Sequence, residues 1–319
     1  YHVMKCQMSQ QILRLAVKTH KSYAISIQEY VKNSNKYTGL PKPYGSSNKP
    51  MILIYTNQVS RFKKIKTGKT KNNFIVLSNT IKIPYNGNIT NYKQIRIKFL
   101  EKNKFKLEIV YEKEETIIDP QAKHYMGIDI GLKNICGIGI TTGDSYLVDS
   151  KKLNKNINDY LFLTNQNTIQ TKNKKKYKIT RSKKKHGKKK YLRNHDFHHK
   201  LSRKIVNLAV EKQVKNIVIG HNWDWTRQTN IGINNNRKMS SFGLKKLIDL
   251  ITYKAKLLGI KVSIQEESHT SKCDFMSNED VKHHKSYMGK RTTRNSFLSS
   301  NDKIIHADIN SAFNIIKKY

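Results

Sequence analysis

The chain has 319 residues, with 62 Lys and Arg against 22 Asp and Glu and a formal net charge of +40. This excess of positive charge is far larger than solubility requires, and it predicts a polyanionic partner such as a nucleic acid. Hydrophobic residues make up 37% of the sequence, which is enough for a folded core and excludes a disordered basic tail.

The cysteines and the apolar runs indicate the compartment. Cys6, Cys136 and Cys273 are widely spaced and form no CxxC pair, so the sequence predicts neither a disulfide framework nor a standard zinc site. Apolar runs such as residues 51–54 fall well short of the roughly 18 residues that span a bilayer. We therefore expect no membrane partner and a cytoplasmic, nucleoid-associated protein, or a nuclear one if the host is eukaryotic or viral. Because the chain opens on Tyr1, we also expect its N-terminus to be incomplete.

The first 120 residues hold all five prolines and the longest basic tract follows them, which predicts a domain boundary near residue 120. Before residue 50, apolar periodicity predicts short helices. From residue 51 the apolar residues alternate with polar ones, as at residues 95–99, which predicts antiparallel strands. Asn86-Gly87 and residues 102–104 are the expected hairpin turns, so residues 51–120 are predicted to form a small β-barrel or open sheet.

After residue 120 the pattern is typical of alternating strands and helices. Strands are predicted at residues 125–130, 135–142, 146–149, 216–221 and 261–268, and helices at residues 196–214, at 241–258 and from 308 onward. A basic segment precedes the first helix, and an irregular stretch precedes the last. This is the chain order of the RNase H-like fold, although periodicity alone does not separate it from other α/β domains.

Two acidic residues stand in settings that suit metal binding. Asp129 lies on an apolar strand, between Gly127 and Gly131, and Asp308 begins the final helix. Hydrolysis of a phosphodiester by two metal ions needs carboxylates from several elements, holding the ions about 4 Å apart. Taken singly, each residue also has a structural interpretation, Asp129 as a turn cap and Asp308 as a helix N-cap.

A third carboxylate is needed, and the strand at residues 216–221 does not supply it, because it ends in Gly220 followed by a histidine. Glu266 and Glu267, after the next strand, are the nearest replacements. Their mutual repulsion favours a cation between them and their partners. Solvated glutamates at a strand end are the structural alternative, and Asp224 is a weaker candidate in a predicted loop.

Five sequence blocks resemble, in order, the motifs of the TnpB or OrfB transposon-encoded nucleases. They are GIDIGLKNICGI at residues 127–138, DFHHKLSRKIV at 196–206, NIVIGHN at 216–222, EESHTSKC at 266–273 and HADINSAFNI at 306–315. The resemblance implies a RuvC-type nuclease domain with an RNase H-like fold, a β-barrel wedge domain and a small helical recognition domain. It also implies a guide RNA transcribed from the transposon end, and cleavage of double-stranded DNA beside a short motif.

The resemblance implies three domains along the chain. Residues 1–50 are expected to be the remnant of a helical recognition domain, and residues 51–120 the β-barrel wedge domain. Residues 121–319 are expected to form the RuvC-like nuclease domain, with a basic insert at residues 151–195 and a degenerate zinc-finger region at residues 272–300.

The same resemblance assigns the catalytic residues. Asp129 matches the first RuvC aspartate and Asp308 the aspartate of the third motif, while Gly220 stands where the second-motif glutamate is usual. A branch related to the Fanzor nucleases has lost that glutamate and uses another, within an E-x-[YH]-T-S-K context. Glu267 fits this context, and Glu266 is one residue out of frame and ranks second. The implied ligands of Mg²⁺ or Mn²⁺ are therefore Asp129, Glu267 and Asp308.

The chain departs from the family in its cysteines. The family usually has two CxxC pairs between the second and third motifs, whereas only Cys273 remains here. His283 and His284 follow, but one Cys with a His pair does not make a convincing tetrahedral site, so no structural zinc is expected.

A basic tract from residue 172 to 200 contains 14 Lys or Arg and only one acidic residue. Its position between two elements of the predicted nuclease core favours contact with a phosphate backbone over a solvated tail. The residues predicted to bind nucleic acid are Lys174, Lys175, Lys176, Arg181, Lys183, Lys184, Lys185, Lys188, Lys189, Lys190, Arg193 and Lys200.

These features together favour a transposon-encoded, RNA-guided DNA endonuclease that uses two metal ions, with DNA and a guide RNA as partners. Two alternatives stay open. One is a nuclease-dead, guide-dependent DNA-binding protein, because Gly220 breaks the usual catalytic set. The other is a nuclease or integrase of the same fold that works without a guide.

Overall fold

The computed structural model describes residues 6–37, 39–43, 52–67, 70–89, 91–101, 104–116, 121–169, 181–221 and 233–319. The chain divides into two compact units, Tyr1–Lys113 and Glu114–Tyr319. No helix within the described ranges is both long and apolar enough to cross a membrane. The assignments of recognition, wedge and nuclease domains stay predictions.

The first unit begins with one long helix, α1 (Cys6–Lys32), followed by a short 3₁₀ turn at Ser34–Lys36. The prediction of several short helices was wrong. The 27 residues of α1 include neither Gly nor Pro, so nothing in the sequence ends the helix between its two apolar stretches.

Two antiparallel sheets complete the first unit. Their strands are β1 (Leu53–Thr56), β2 (Ser60–Thr67), β3 (Thr70–Leu77), β4 (Ile81–Pro84), β5 (Gln94–Glu101) and β6 (Lys104–Val110). The strand orders are β1-β5-β6 and β2-β3-β4. Tyr55, Ile75, Leu77 and Ile95 bring side chains of both sheets into one core, together with Met8 of α1.

The prediction of a hairpin turn at Asn86-Gly87 was wrong, because β4 and β5 on either side of it belong to different sheets. The tight turn lies instead between β3 and β4, where Ser78 and Asn79 have φ values of 52° and 64°. Asn tolerates this left-handed conformation, but Ser gives little sequence signal for it. The strands that flank the turn predicted at residues 102–104 do pair, although residues 102 and 103 lie outside the described ranges.

The second unit is built on a five-stranded sheet. Its strands are β7 (His124–Asp129), β8 (Asn134–Ile140), β9 (Ser145–Asp149), β10 (Val214–Gly220) and β11 (Lys261–Gln265), in the order β9-β8-β7-β10-β11. β7 and β9 run antiparallel to β8, whereas β10 runs parallel to both of its neighbours. This topology confirms the predicted RNase H-like α/β fold.

Five helices accompany this sheet: α2 (Lys151–Ile169), α3 (Arg181–Glu211), α4 (Ile233–Phe242), α5 (Leu244–Lys256) and α6 (Ala307–Lys318). α3 begins well before the predicted residue 196, so the described part of the basic insert is helical. The helix predicted at residues 241–258 is two helices, broken at Gly243, which has a φ of 70°. The predicted irregular stretch before α6 contains three short antiparallel strands, β12 (Lys290–Arg291), β13 (Ser296–Leu298) and β14 (Ile304–His306).

Helix α6 packs closely on the sheet. A Cβ atom at Gly137 of β8 would lie 2.6 Å from the carbonyl oxygen of Asp308, so only glycine leaves room for the first turn of α6. Gly137 is the register partner of Asp129 at the end of β7. The close approach therefore brings the first turn of α6, which carries Asp308, beside the last residue of β7.

Candidate active site

Asp129 is the last residue of β7, and its side chain is half-buried. Burial and the neighbouring charge of Asp308 raise its pKa to about 7, against the opposing effects of a hydrogen bond from Ser311 and the charge of Arg291. A carboxylate whose pKa is raised in this way has too little positive charge around it. This environment suits a cation ligand better than a turn cap.

Asp308 lies in the first turn of α6 but does not cap the helix. That role belongs to His306, whose Nδ1 accepts a hydrogen bond from the Asp308 backbone N–H at 3.2 Å. The Asp308 side chain is instead held by Asn134, whose Nδ2 donates to Oδ2 at 2.8 Å. An Arg291 guanidinium nitrogen lies 3.8 Å from Oδ1. The carboxylate is therefore oriented from two sides and turned toward the end of the sheet.

The two adjacent glutamates lie in different environments. Glu266 is exposed and pairs with Lys318, whose Nζ lies 2.6 Å from Oε2. It also accepts a hydrogen bond from the Ser268 backbone N–H at 2.8 Å. The hydrogen bonds from Lys318 and Ser268 lower the pKa of Glu266 to about 2. Its contacts are thus with the C-terminal end of α6, away from Asp129.

Glu267 turns the other way and covers Gly220. A Cβ atom built at Gly220 would lie 2.5 Å from Glu267 Oε1 and 2.8 Å from Glu267 Cγ. Burial and the charges of Asp129 and Glu266 raise the pKa of Glu267 to about 8. The space that a side chain at position 220 would enter is therefore filled by the carboxylate of Glu267.

Two asparagines of α6 hold the turn that follows Glu267. The Glu267 carbonyl accepts hydrogen bonds from the backbone N–H and the hydroxyl of Thr270, at 3.2 and 2.8 Å. Asn314 Nδ2 donates to the Thr270 carbonyl at 2.9 Å, and Asn310 Nδ2 donates to the Cys273 carbonyl at 2.8 Å. The helix that carries Asp308 thus also positions the turn behind Glu267. Sequence reasoning missed both asparagines, and their i, i+4 spacing in a buried helix was the available signal.

The donor set of this site fits divalent cations. Carboxylate oxygens are the ligands that Mg²⁺ and Mn²⁺ prefer, and the raised pKa values of Asp129 and Glu267 show an excess of negative charge that a cation relieves. In the described part of the chain, no three His, Cys, Asp or Glu side chains are grouped closely enough to hold one ion. Asp129 is close enough to both other carboxylates for charge repulsion: the charge of Asp308 raises the pKa of Asp129, and the charge of Asp129 raises the pKa of Glu267. The three carboxylates are nevertheless not grouped around one point.

The residues predicted to bind nucleic acid lie mostly on the first half of α3. Those placed on this helix are Arg181, Lys183, Lys184, Lys185, Lys188, Lys189, Lys190, Arg193 and Lys200. Lys190 is partly buried over the ring of Tyr160, 4.2 Å from its centroid, and burial lowers its pKa. Lys200 pairs with Asp196 at 2.8 Å. Lys174, Lys175 and Lys176 lie outside the described residues, as does Asp224.

Family models match two parts of the chain. Residues 108–226, which include Asp129, match the OrfB_IS605 family, described as a probable transposase. Residues 245–315, which include Glu267 and Asp308, match the Cas12f1-like TNB domain. A search of curated proteins found no match.

Solved structures also resemble this chain. The Cas12f1-sgRNA-target DNA complex matches with a TM-score of 0.53 and 13% sequence identity, over 90% of this chain and 67% of that chain. A CRISPR-Cas12f ternary complex matches with a TM-score of 0.45 and 14% identity, over 89% and 66% of the two chains. This chain thus spans about two thirds of their length. The first match shows a shared fold, and the family matches confirm the resemblance to TnpB or OrfB proteins.

Proposed function

We propose that this chain is a transposon-encoded, RNA-guided DNA endonuclease of the TnpB or OrfB type. The proposal is supported by the two family matches, by the RNase H-like fold and by the net charge of +40. In it, Asp129, Glu267 and Asp308 hold Mg²⁺ or Mn²⁺ and the protein hydrolyses phosphodiester bonds.

The observation that carries the proposal is the position of Glu267 over Gly220. In the family that this chain resembles, a glutamate side chain is usual at the position of Gly220. Here the carboxylate of Glu267 fills that space from the segment that follows the neighbouring strand β11, and a bound cation would balance its charge. The chain therefore keeps three carboxylates at one end of the sheet although the usual second-motif residue is glycine.

In this proposal three carboxylates bind the ions and three asparagines position those carboxylates. Two divalent ions bound here would activate the attacking water and stabilise the leaving oxygen. Asp129, Glu267 and Asp308 would hold these ions, and Asn134 fixes the orientation of Asp308 through its 2.8 Å hydrogen bond. Asn310 and Asn314 keep the turn after Glu267 in place, so that the glutamate stays over Gly220.

The basic half of α3 contacts the nucleic-acid backbone in this proposal. A helix with so many exposed cations neutralises phosphates and releases counterions, so affinity falls as salt rises, with a log–log slope of roughly −0.9 per duplex phosphate contact. Measuring DNA binding across salt concentrations tests this directly. Replacing Lys184, Lys185 and Lys188 together with Gln makes the slope shallower if the helix is the interface, and a slope unchanged by these replacements contradicts it.

A second candidate function is guide-dependent DNA binding without cleavage. It is favoured by the finding that no three potential ligands are grouped around one point in the described residues. Under this alternative, the site retains its carboxylates but never brings them close enough to hold two ions.

One experiment separates these functions. The gene is expressed together with its flanking DNA, and the RNA that copurifies with the protein is sequenced and redirected to a plasmid target. Guided double-strand cleavage in Mg²⁺ or Mn²⁺ supports the endonuclease. Guided binding without cleavage in either ion supports the second candidate. Cleavage by a protein that carries no discrete RNA overturns the guide model.

A further inference from the structure

The segment from Cys273 to Ser300 occupies the part of the chain where the family resemblance implies a zinc finger. Cys273 is fully buried, and its Sγ donates to the Lys282 carbonyl at 3.6 Å. Nε2 of His284 is hydrogen-bonded to the Asp280 carbonyl at 2.8 Å. Within residues 233–319, which are described without gaps, no three potential ligands are grouped to hold a metal. The residues present therefore do not fit zinc.

Asp274 ties together two stretches of this segment. Its side chain is fully buried. Oδ1 accepts hydrogen bonds from the backbone N–H groups of Met276 and Ser277, at 3.1 and 3.4 Å. Oδ2 accepts from the Ser299 hydroxyl at 2.6 Å and from the Ser300 backbone N–H at 2.8 Å. One carboxylate thus joins the first residues of the segment to its last residues.

Glu279 provides a second tie. It is only 5% exposed. Oε2 accepts from the Asp274 backbone N–H at 2.7 Å, and Oε1 accepts from the Met288 backbone N–H at 3.0 Å. The same Oε1 lies 3.9 Å from Nε2 of His284. Glu279 therefore joins the Asp274 turn to the middle of the segment.

We infer that the buried carboxylates of Asp274 and Glu279 hold this segment together in place of a structural zinc ion. A zinc ion in a finger links distant stretches of chain through four ligands. Here two carboxylates link residues 274–279, 288 and 299–300 through charge-assisted hydrogen bonds to main-chain and hydroxyl donors, which are stronger than neutral ones.

The arrangement also reaches the candidate active site. The Phe275 backbone N–H donates to Asn310 Oδ1 of α6 at 3.1 Å, and the ring of Phe275 stacks on Phe313 with centroids 4.4 Å apart. β14 runs directly into α6. The turn held by Asp274 and Glu279 therefore packs against α6, the helix that carries Asp308, without a metal ion.

The first test needs no substitution. Zinc content of the purified full chain is measured by mass spectrometry, and thermal unfolding is followed with and without a zinc-selective chelator. We expect no stoichiometric zinc and the same unfolding midpoint in both samples. One zinc per chain, or a midpoint that falls with the chelator, overturns the inference.

The second test uses hydrogen exchange of the full chain. Asp274→Asn places an amide N–H₂ group against main-chain and hydroxyl donors, and we expect exchange in residues 274–300 to accelerate about tenfold or more. Glu279→Gln should act in the same direction, while residues 124–140 keep their protection. Asp280→Asn is the matched control, because the Asp280 side chain is exposed and its ion pair is with the nearby Lys282. If residues 274–300 exchange at the same rate in Asp274→Asn and Glu279→Gln as in the Asp280→Asn control, the inference is overturned.

Discussion

Carboxylates that are at least partly shielded from solvent occur in two regions of the second unit, Glu114–Tyr319, and their surroundings are opposite. At the end of the sheet, burial and repulsion between carboxylates raise the pKa of Asp129 to about 7 and that of Glu267 to about 8. In the segment after Cys273, burial also acts to raise the pKa of Asp274, but hydrogen bonds from Ser299, Ser300 and Ser277 outweigh it and lower the pKa.

This difference gives a way to distinguish a carboxylate that binds a ligand from one that holds the fold together. A buried carboxylate surrounded by donors is already compensated, so it stabilises the fold without a partner from solution. A carboxylate that is shielded from solvent and faces other carboxylates lacks such donors, so its charge must be balanced by a proton or by a bound cation. By this criterion we propose that Asp129 and Glu267 bind an ion, whereas Asp274 links stretches of the chain.

The largest expected effect comes from the glutamate pair. Glu267→Gln removes a charge from the proposed ion site and should abolish guided cleavage. Guide and DNA binding should persist, since most binding energy comes from backbone contacts elsewhere. Glu266→Gln is the matched control, because Glu266 is exposed and bound to Lys318, and it should keep cleavage near the unmutated rate. Cleavage by the Glu267→Gln protein at the unmutated rate in Mg²⁺ contradicts the displaced-glutamate assignment.

A smaller loss is expected at Asn134, which orients Asp308 without being a proposed ligand. Asn134→Ala should lower cleavage about 10- to 100-fold, as is typical when a group behind a metal ligand is lost. The Mg²⁺ concentration needed for half-maximal cleavage should rise, while the unfolding midpoint stays close to that of the unmutated protein. An equal loss of activity at every Mg²⁺ concentration indicates that Asn134 acts on something other than ion binding.

The five strands of the central sheet, β7 to β11, and the last helix of the second unit could be predicted because each shows a clear apolar period bounded by turns. The close packing of α6 on the sheet depends on Gly137, but only the structure shows that this glycine makes room for the Asp308 backbone. Glu267 could be proposed only from its E-x-H-T-S-K context, since neither burial nor charge is visible in a pair of adjacent glutamates. The structure supplies the missing distinction, because the two side chains lie on different sides of the chain.

Other features could not be predicted, for physical reasons. The start of α3 lies within a lysine-rich tract, where good helix propensity and repulsion between like charges give opposite signals. The Asp274 tie joins residues some 25 positions apart through main-chain donors, which leave no pattern of residue types. Asn310 and Asn314 bind carbonyl groups in a loop, and sequence does not show which loop faces a helix.

The next prediction concerns Gly220. Gly220→Ala places a Cβ atom 2.5 Å from both Glu267 Oε1 and Ile315 Cδ1, so the ends of these two side chains must shift. We expect a loss of about 1–3 kcal/mol in the free energy of unfolding, as for other overpacked sites, together with reduced cleavage. Gly39→Ala is the control, since nothing lies within 4 Å of a Cβ atom there. An unfolding free energy and a cleavage rate both equal to those of the unmutated protein contradict the packing of Glu267 on Gly220.

The smallest expected effect is a dependence of the Asp274 tie on pH. A carboxyl group with a lower pKa in the folded than in the unfolded state stabilises the fold above its unfolded pKa of about 4, and this contribution is lost as the pH falls through the folded value. Hydrogen exchange in residues 274–300 should therefore lose protection selectively as the pH is lowered from 5 toward 3, after correction for the intrinsic exchange rate.

The source of this pH dependence can be assigned by substitution. The groups that face the Asp274 carboxylate are the hydroxyls of Ser277 and Ser299 and the backbone N–H groups of residues 276, 277 and 300, none of which titrates in this range. Glu279 is a second carboxyl group, bonded to the Asp274 N–H, so both residues must be tested. In the Asp274→Asn protein, residues 274–300 should already have low hydrogen-exchange protection at pH 5, and this protection should change less as the pH is lowered. If that variant keeps the full pH dependence and Glu279→Gln removes it, Glu279 rather than Asp274 is the dominant tie.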